Sequence, residues 1–229
     1  MLSRPSIHRT HGFTLIELLV AIAVMALMAM MSWQGIDGMT RAQAQTRQRA
    51  NEVLALQMGL AQWTADLDAL AQVAQVPSMD WDGRAIRMTR YSSTSAADGL
   101  LVVAWSRRVV DGTGQWLRWQ SPPLRTRGEL QDAWQQATVW AQNPSQELKR
   151  REVVIAPLDQ WQLFYFRQTA WTNPLSSDTN MTPSGGVPAA LNTSIPDGVR
   201  LVLTLPGNSA LAGVITRDWV RPTLSSNKS

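Results

Sequence analysis

Residues 12–31 read GFTLIELLVAIAVMALMAMM, an apolar run carrying a single charge, Glu17. From Phe13 onward it reaches the ~20 residues with which an α-helix crosses ~30 Å of hydrocarbon. A secretory signal has a shorter apolar core, followed by small residues at a cleavage site. This run instead exits through MMSWQGIDGMTRAQ, with Met31 and Trp33 where small residues should stand. A retained transmembrane helix is therefore expected, with Leu18, Leu19, Val20, Ile22, Val24, Leu27 and Met31 among its membrane residues and Trp33 at the far interface. Arg4 and Arg9 precede the run with no acid beside them, which predicts a cytoplasmic leader.

Glu17 is the feature to explain. On insertion scales an acid at the bilayer centre costs roughly 2.5–3.5 kcal/mol, and such acids tend to be paired or functional. A place near the end of the span lowers that cost without removing it. Two readings stand: a carboxylate that snorkels to the helix end, or one that meets a cation held at membrane depth.

Composition narrows the chemistry. The 229 residues suffice for one ordinary domain and an extension. The formal charge of +4 owes two of its arginines to the leader; without it 19 bases face 17 acids, a weak basis for a nucleic-acid partner. There is no cysteine, and both histidines, His8 and His11, precede Gly12. Beyond Gly12 this excludes Ser-His-Asp and Cys-His catalysis and nearly all zinc chemistry. No catalytic residue, metal or cofactor is expected.

The stretch at 12–31 closely resembles the N-terminal processing segment of type IV pilins and of the pseudopilins of type II secretion systems. The resemblance implies cleavage by a prepilin peptidase after Gly12 and N-methylation of the new terminus, Phe13. It also implies a helix that first anchors the subunit in the inner membrane and then packs in a filament core. Glu17 matches the family's glutamate, which is thought to pair with the terminal amine of a neighbouring subunit. Physics is compatible, because Phe13 and Glu17 lie about one helical turn apart and so on roughly the same face.

Past the membrane run, Val53, Leu56, Leu60, Trp63, Leu67 and Leu70 recur at spacings of three and four, the stripe of an amphipathic helix. Pro77 disfavours helix at Val76, so the helix is expected to run to about Gln75. Packing against the following domain is the expected use of the stripe. Gly35 and Gly38 each cost ~1 kcal/mol of helix propensity; they are either tolerated or a hinge. The expected organisation is a leader at 1–12, the helix at 13–77, and an α+β periplasmic domain at 78–229.

From Ser78 the pattern changes. RAIRMTRY, GLLVVAWSRRVV, GQWLRWQ, REVVIA, QWQLFYFRQ, GVRLVLTL and AGVITRDWV read as strands, with turns at Asp98-Gly99 and Asp111-Gly112. TRGELQDAWQQATVW reads as a helix opened by a Thr126/Glu129 capping box. The fold class is therefore α+β, with antiparallel sheets packed on the distal half of the long helix. The loop at 172–198, rich in Ser, Thr, Asn, Pro and Gly, is either mobile or functional.

WQLFYFRQ, AWTNP and IPDGVRLVLTL, with a last strand after them, are similar to the end of the J-type minor pseudopilin of type II secretion. That resemblance implies a tip complex with the I- and K-type subunits above the major pseudopilin, and contact with the inner-membrane assembly platform. The alternative is a minor type IV pilin for pilus assembly, adhesion or DNA uptake.

Other constellations read more plainly. The strand tryptophans Trp105, Trp116, Trp119 and Trp161 are expected in the core or a subunit interface, with Trp116 and Trp119 on opposite sheet faces. Asp80 and Asp82 in DWDG lack the rest of a calcium loop. Asp66 and Asp68 point to different sides of a helix. All four acids are expected to be surface carboxylates. After Pro77, 16 bases face 12 acids, and the KRRE cluster reads as a solvated strand edge or as a patch for an acidic partner.

Overall fold

The structure, a computed structural model, describes residues 13–73, 76–92, 99–167, 169–175 and 195–222. It shows the α+β arrangement of a pilin-like fold: a long N-terminal helix followed by antiparallel sheets. The chain divides into two compact units, Met1–Gln48 and Arg49–Ser229. Helix α1 (Leu15–Asp68) begins in the first and ends in the second.

In the first unit every described residue is exposed. The apolar part of α1 has a mean hydropathy of 2.4 and is long and apolar enough to cross a membrane. Gly35 and Gly38 lie inside continuous helix, and a Cβ at either would meet nothing within 4 Å, so no packing in this chain requires them.

The second unit holds two sheets. The first has the order β1-β2-β3-β4-β5: β1 (Met79–Trp81), β2 (Ala85–Tyr91), β3 (Leu100–Val110), β4 (Thr113–Gln120) and β5 (Glu152–Pro157). The second runs β7-β6-β8-β9: β6 (Gln160–Arg167), β7 (Ala170–Thr172), β8 (Gly198–Leu205) and β9 (Gly213–Val220). All pairs are antiparallel. Asp111 and Gly112 close the β3–β4 hairpin at φ 49° and 78°, as a two-residue primed turn demands. Helices α2 (Arg127–Gln142) and α3 (Gln146–Lys149) separate β4 from β5. The capping box at α2 is present, with the Thr126 N–H donating to the Glu129 carboxylate at 2.9 Å.

The five-stranded sheet is covered on both faces, which explains the unbroken apolar run of β3. One face sets Val103, Trp105 and Trp116 against Leu56, Trp63 and Leu67 of α1, together with Leu163, Leu201 and Leu203 of the second sheet. The other sets Val102, Ala104, Leu117 and Trp119 against Leu130, Ala137 and Trp140 of α2. Trp116 and Trp119 thus occupy opposite cores, as alternation requires. Trp161, partly buried, packs edge-on against Trp81 at 4.9 Å.

Three short elements, β1, β7 and α3, have too few residues to show a period. The end of α1 also differs from expectation: it stops at Asp68, well before Gln75. The part of β2 beyond its pairing with β1 captures the chain first. Tyr91 N–H donates to Ala69 C=O and Ala71 N–H to Thr89 C=O, each at 2.9 Å, and sheet pairing replaces the next helical turn. Most of the loop at 172–198 (residues 176–194), as well as Asp98, lies outside the described residues.

The α1 stripe contains one position where only glycine fits. A Cβ on Gly59 would overlap Ile155 Cγ2 and lie 3.3 Å from Trp116 Cζ3. Gly59→Ala is expected to cost ~1–3 kcal/mol by overpacking, seen as a lower midpoint of chemical denaturation, and less in an Ile155→Ala background. An unchanged midpoint in the single variant would show that α1 does not approach β5 this closely.

Candidate functional site

The N-terminal site begins at Phe13, exposed and non-helical; Gly12 lies outside the described residues. Thr14 N–H donates to Glu17 Oε2 at 2.9 Å, and its hydroxyl donates to the same oxygen at 2.7 Å. Glu17 N–H lies 3.4 Å from Thr14 Oγ1. This is a reciprocal capping box, and it places the carboxylate at the positive end of the α1 dipole. Glu17 therefore has donors within its own chain, and both of these bonds fall on Oε2. Thr14 was legible in the sequence as T-x-x-E ahead of an apolar run. The residues expected to span a membrane follow along an exposed helix, from Val24 at 44% to Met31 at 72% exposed.

The second charged centre overturns an expectation. Asp66 is not a surface carboxylate but fully buried. Its Oδ1 accepts from Gln62 Nε2 at 2.8 Å, from Arg118 Nη2 at 2.9 Å and from Arg90. Oδ2 accepts from Arg118 Nε at 2.8 Å and Trp105 Nε1 at 2.9 Å. The Arg118 fork is bidentate, the strongest geometry of this pair type. The last turn of α1 contains acids and no base, an arrangement the helix dipole opposes. Arg90 and Arg118, reaching in from β2 and β4, supply the missing cations. The signal was present: Asp66 follows Trp63 by three and Gly59 by seven, on the buried face, while Arg90 and Arg118 each stand two residues beyond a core residue in a strand.

Asp68 does point elsewhere, as its spacing from Asp66 predicts. It is exposed and accepts from the Trp219 indole N–H at 2.7 Å. Asp80 and Asp82 flank Arg87, and Asp82 also caps the Arg84 and Ala85 N–H groups at 2.9 and 2.8 Å, so these acids shape a hairpin. In KRRE, Glu152 is not solvated: Arg108 grips it at 2.6 and 2.8 Å and Trp140 Nε1 donates at 2.7 Å.

The prokaryotic N-terminal methylation motif matches residues 7–33. This is the prepilin-type signal of pilin-like proteins, which are structural and not an enzyme family. No curated protein matches the chain.

Stripping one partner from a buried ion cluster costs about 3–5 kcal/mol. Asp66→Asn is expected to lose stability on that scale in chemical denaturation, while Asp68→Asn, which keeps an acceptor for Trp219, loses little. Equal losses in the two variants would contradict the assignment of Asp66 as the buried counter-charge.

Proposed function

We propose that the chain is a minor pseudopilin, J-type, a structural subunit at the tip of a type II secretion pseudopilus that supports protein secretion across the outer membrane. The observation that carries this reading is the methylation motif on an exposed helix apolar enough to span a membrane. The finer assignment draws on the C-terminal pattern: WQLFYFR lies in β6, AWT forms β7 and GVRLVLTL forms β8. Its partners are then the I- and K-type minor pseudopilins, the major pseudopilin, a prepilin peptidase and the inner-membrane assembly platform.

In this reading the peptidase cuts after Gly12, and Phe13 becomes a methylated, cationic terminus. Glu17 rests in its own capping box while the subunit waits in the membrane. During assembly it takes the Phe13 amine of a neighbour, which replaces a hydrogen bond by a charged one in low dielectric and thereby selects register. The arginine balance does not orient the anchor by itself: Arg41, Arg47 and Arg49 follow the span, against Arg4 and Arg9 before it. The cytoplasmic leader and periplasmic C-terminal domain therefore rest on the processing motif.

A stoichiometric complex with I- and K-type pseudopilins supports the tip assignment. Salt-dependent DNA binding without such a complex favours the minor type IV pilin. Mass spectrometry of the mature protein is expected to find a chain that begins at methylated Phe13; one that begins at Met1 removes the processing claim. Glu17→Leu is expected to insert in the membrane normally and to fail at incorporation into filaments, so normal incorporation sinks the register role.

A further inference from the structure

At the end of α1 a polar cleft of about 330 Å³ opens, lined by Asp68, Arg221, Tyr91, Trp219, Leu67 and Leu70 among others. Its size falls within the range of binding pockets, roughly 300–1,000 Å³. Asp68 and Arg221 are the two charged residues on its described wall, and among the described residues neither makes an ion pair. Asp68 is held in place by the Trp219 indole N–H. It sits in the last turn of α1, beside the Asp66 cluster. The two arginines that neutralise this end of the helix are both committed to Asp66. Arg221 also lines the cleft, its backbone fixed by its N–H donating to Asp197 C=O at 2.8 Å. Tyr91, 47% exposed, adds an aromatic ring to the wall.

A carboxylate and a guanidinium that line one cleft without pairing call for a ligand with the reversed pair. Leu67 and Leu70 add apolar wall, which suits side-chain stems better than a simple ion. We propose that this cleft docks an extended peptide segment of a partner protein that carries adjacent basic and acidic side chains, the base on Asp68 and the acid on Arg221. The site is separate from the N-terminal motif and does not depend on the filament reading.

The test uses the full chain in detergent micelles, with NMR of the tryptophan indole N–H signals and Trp219 assigned through Trp219→Phe. The probe is acetyl-Arg-Glu-amide, and acetyl-Gln-Gln-amide is its neutral control. The charged dipeptide is expected to shift the Trp219 signal saturably and the neutral one not to. Asp68→Asn, which keeps the indole acceptor, and Arg221→Gln should each weaken binding about tenfold or more, the scale of one charge-assisted hydrogen bond. No saturable shift, an equal response to the neutral dipeptide, or unchanged affinity in both variants would overturn the proposal.

Discussion

One buried carboxylate sets how the end of α1 meets the sheet. Asp66 lies in the core with no access to water, and two guanidinium groups, an indole and an amide saturate its oxygens. Each partner comes from a different place: Gln62 from the helix itself, Arg90 from β2, Trp105 from β3 and Arg118 from β4. Around it, Trp63, Trp105 and Trp116 pack with ring centroids 4.6–6.3 Å apart. The indoles exclude water, and the low dielectric that results makes an unmatched charge costly. A helix shifted by one residue would strand an acid and two arginines, so the network specifies register where apolar contacts alone would tolerate slippage.

Three of the five acids of α1 are handled differently according to their surroundings. Glu17, in the first turn, is favoured by the helix dipole and satisfied by Thr14 through a local box that survives removal of everything before Phe13. Asp66, in the last turn, is opposed by the dipole and needs cations from the sheet. Asp68, beside it but facing out, takes one indole N–H and keeps its charge exposed to the cleft. In the proposed reading, an acid already paired with its own backbone waits in the membrane and exchanges that partner for an amine when a neighbour arrives.

Much of this was legible in the sequence. The longer strands were found because one covered face leaves alternating apolar residues, as in β8, and two leave a continuous run, as in β3. The capping box of α2 and the Asp111-Gly112 turn follow local rules that tertiary contacts did not override. The end of α1 was misplaced because Pro77 marks only where a helix cannot continue, whereas the part of β2 beyond β1 captured the chain earlier. Asp66 was misjudged for a related reason: charged residues are rarely buried, and the exception is visible only when Arg90 and Arg118 are seen to face the same core. In the N-terminal segment, Glu17 was legible from its apolar setting, and its bond to Thr14 follows from the T-x-x-E pattern ahead of an apolar run.

The central claim is that Glu17 exchanges a partner within its own chain for the terminal amine of another. It is tested most directly by solid-state NMR on filaments assembled from two separately labelled pools, one labelled at the Phe13 nitrogen and the other at the Glu17 side-chain carboxyl. The account predicts a contact between the two pools. A Glu17 carboxyl that contacts only the Thr14 nitrogen of its own chain in the assembled filament would contradict it.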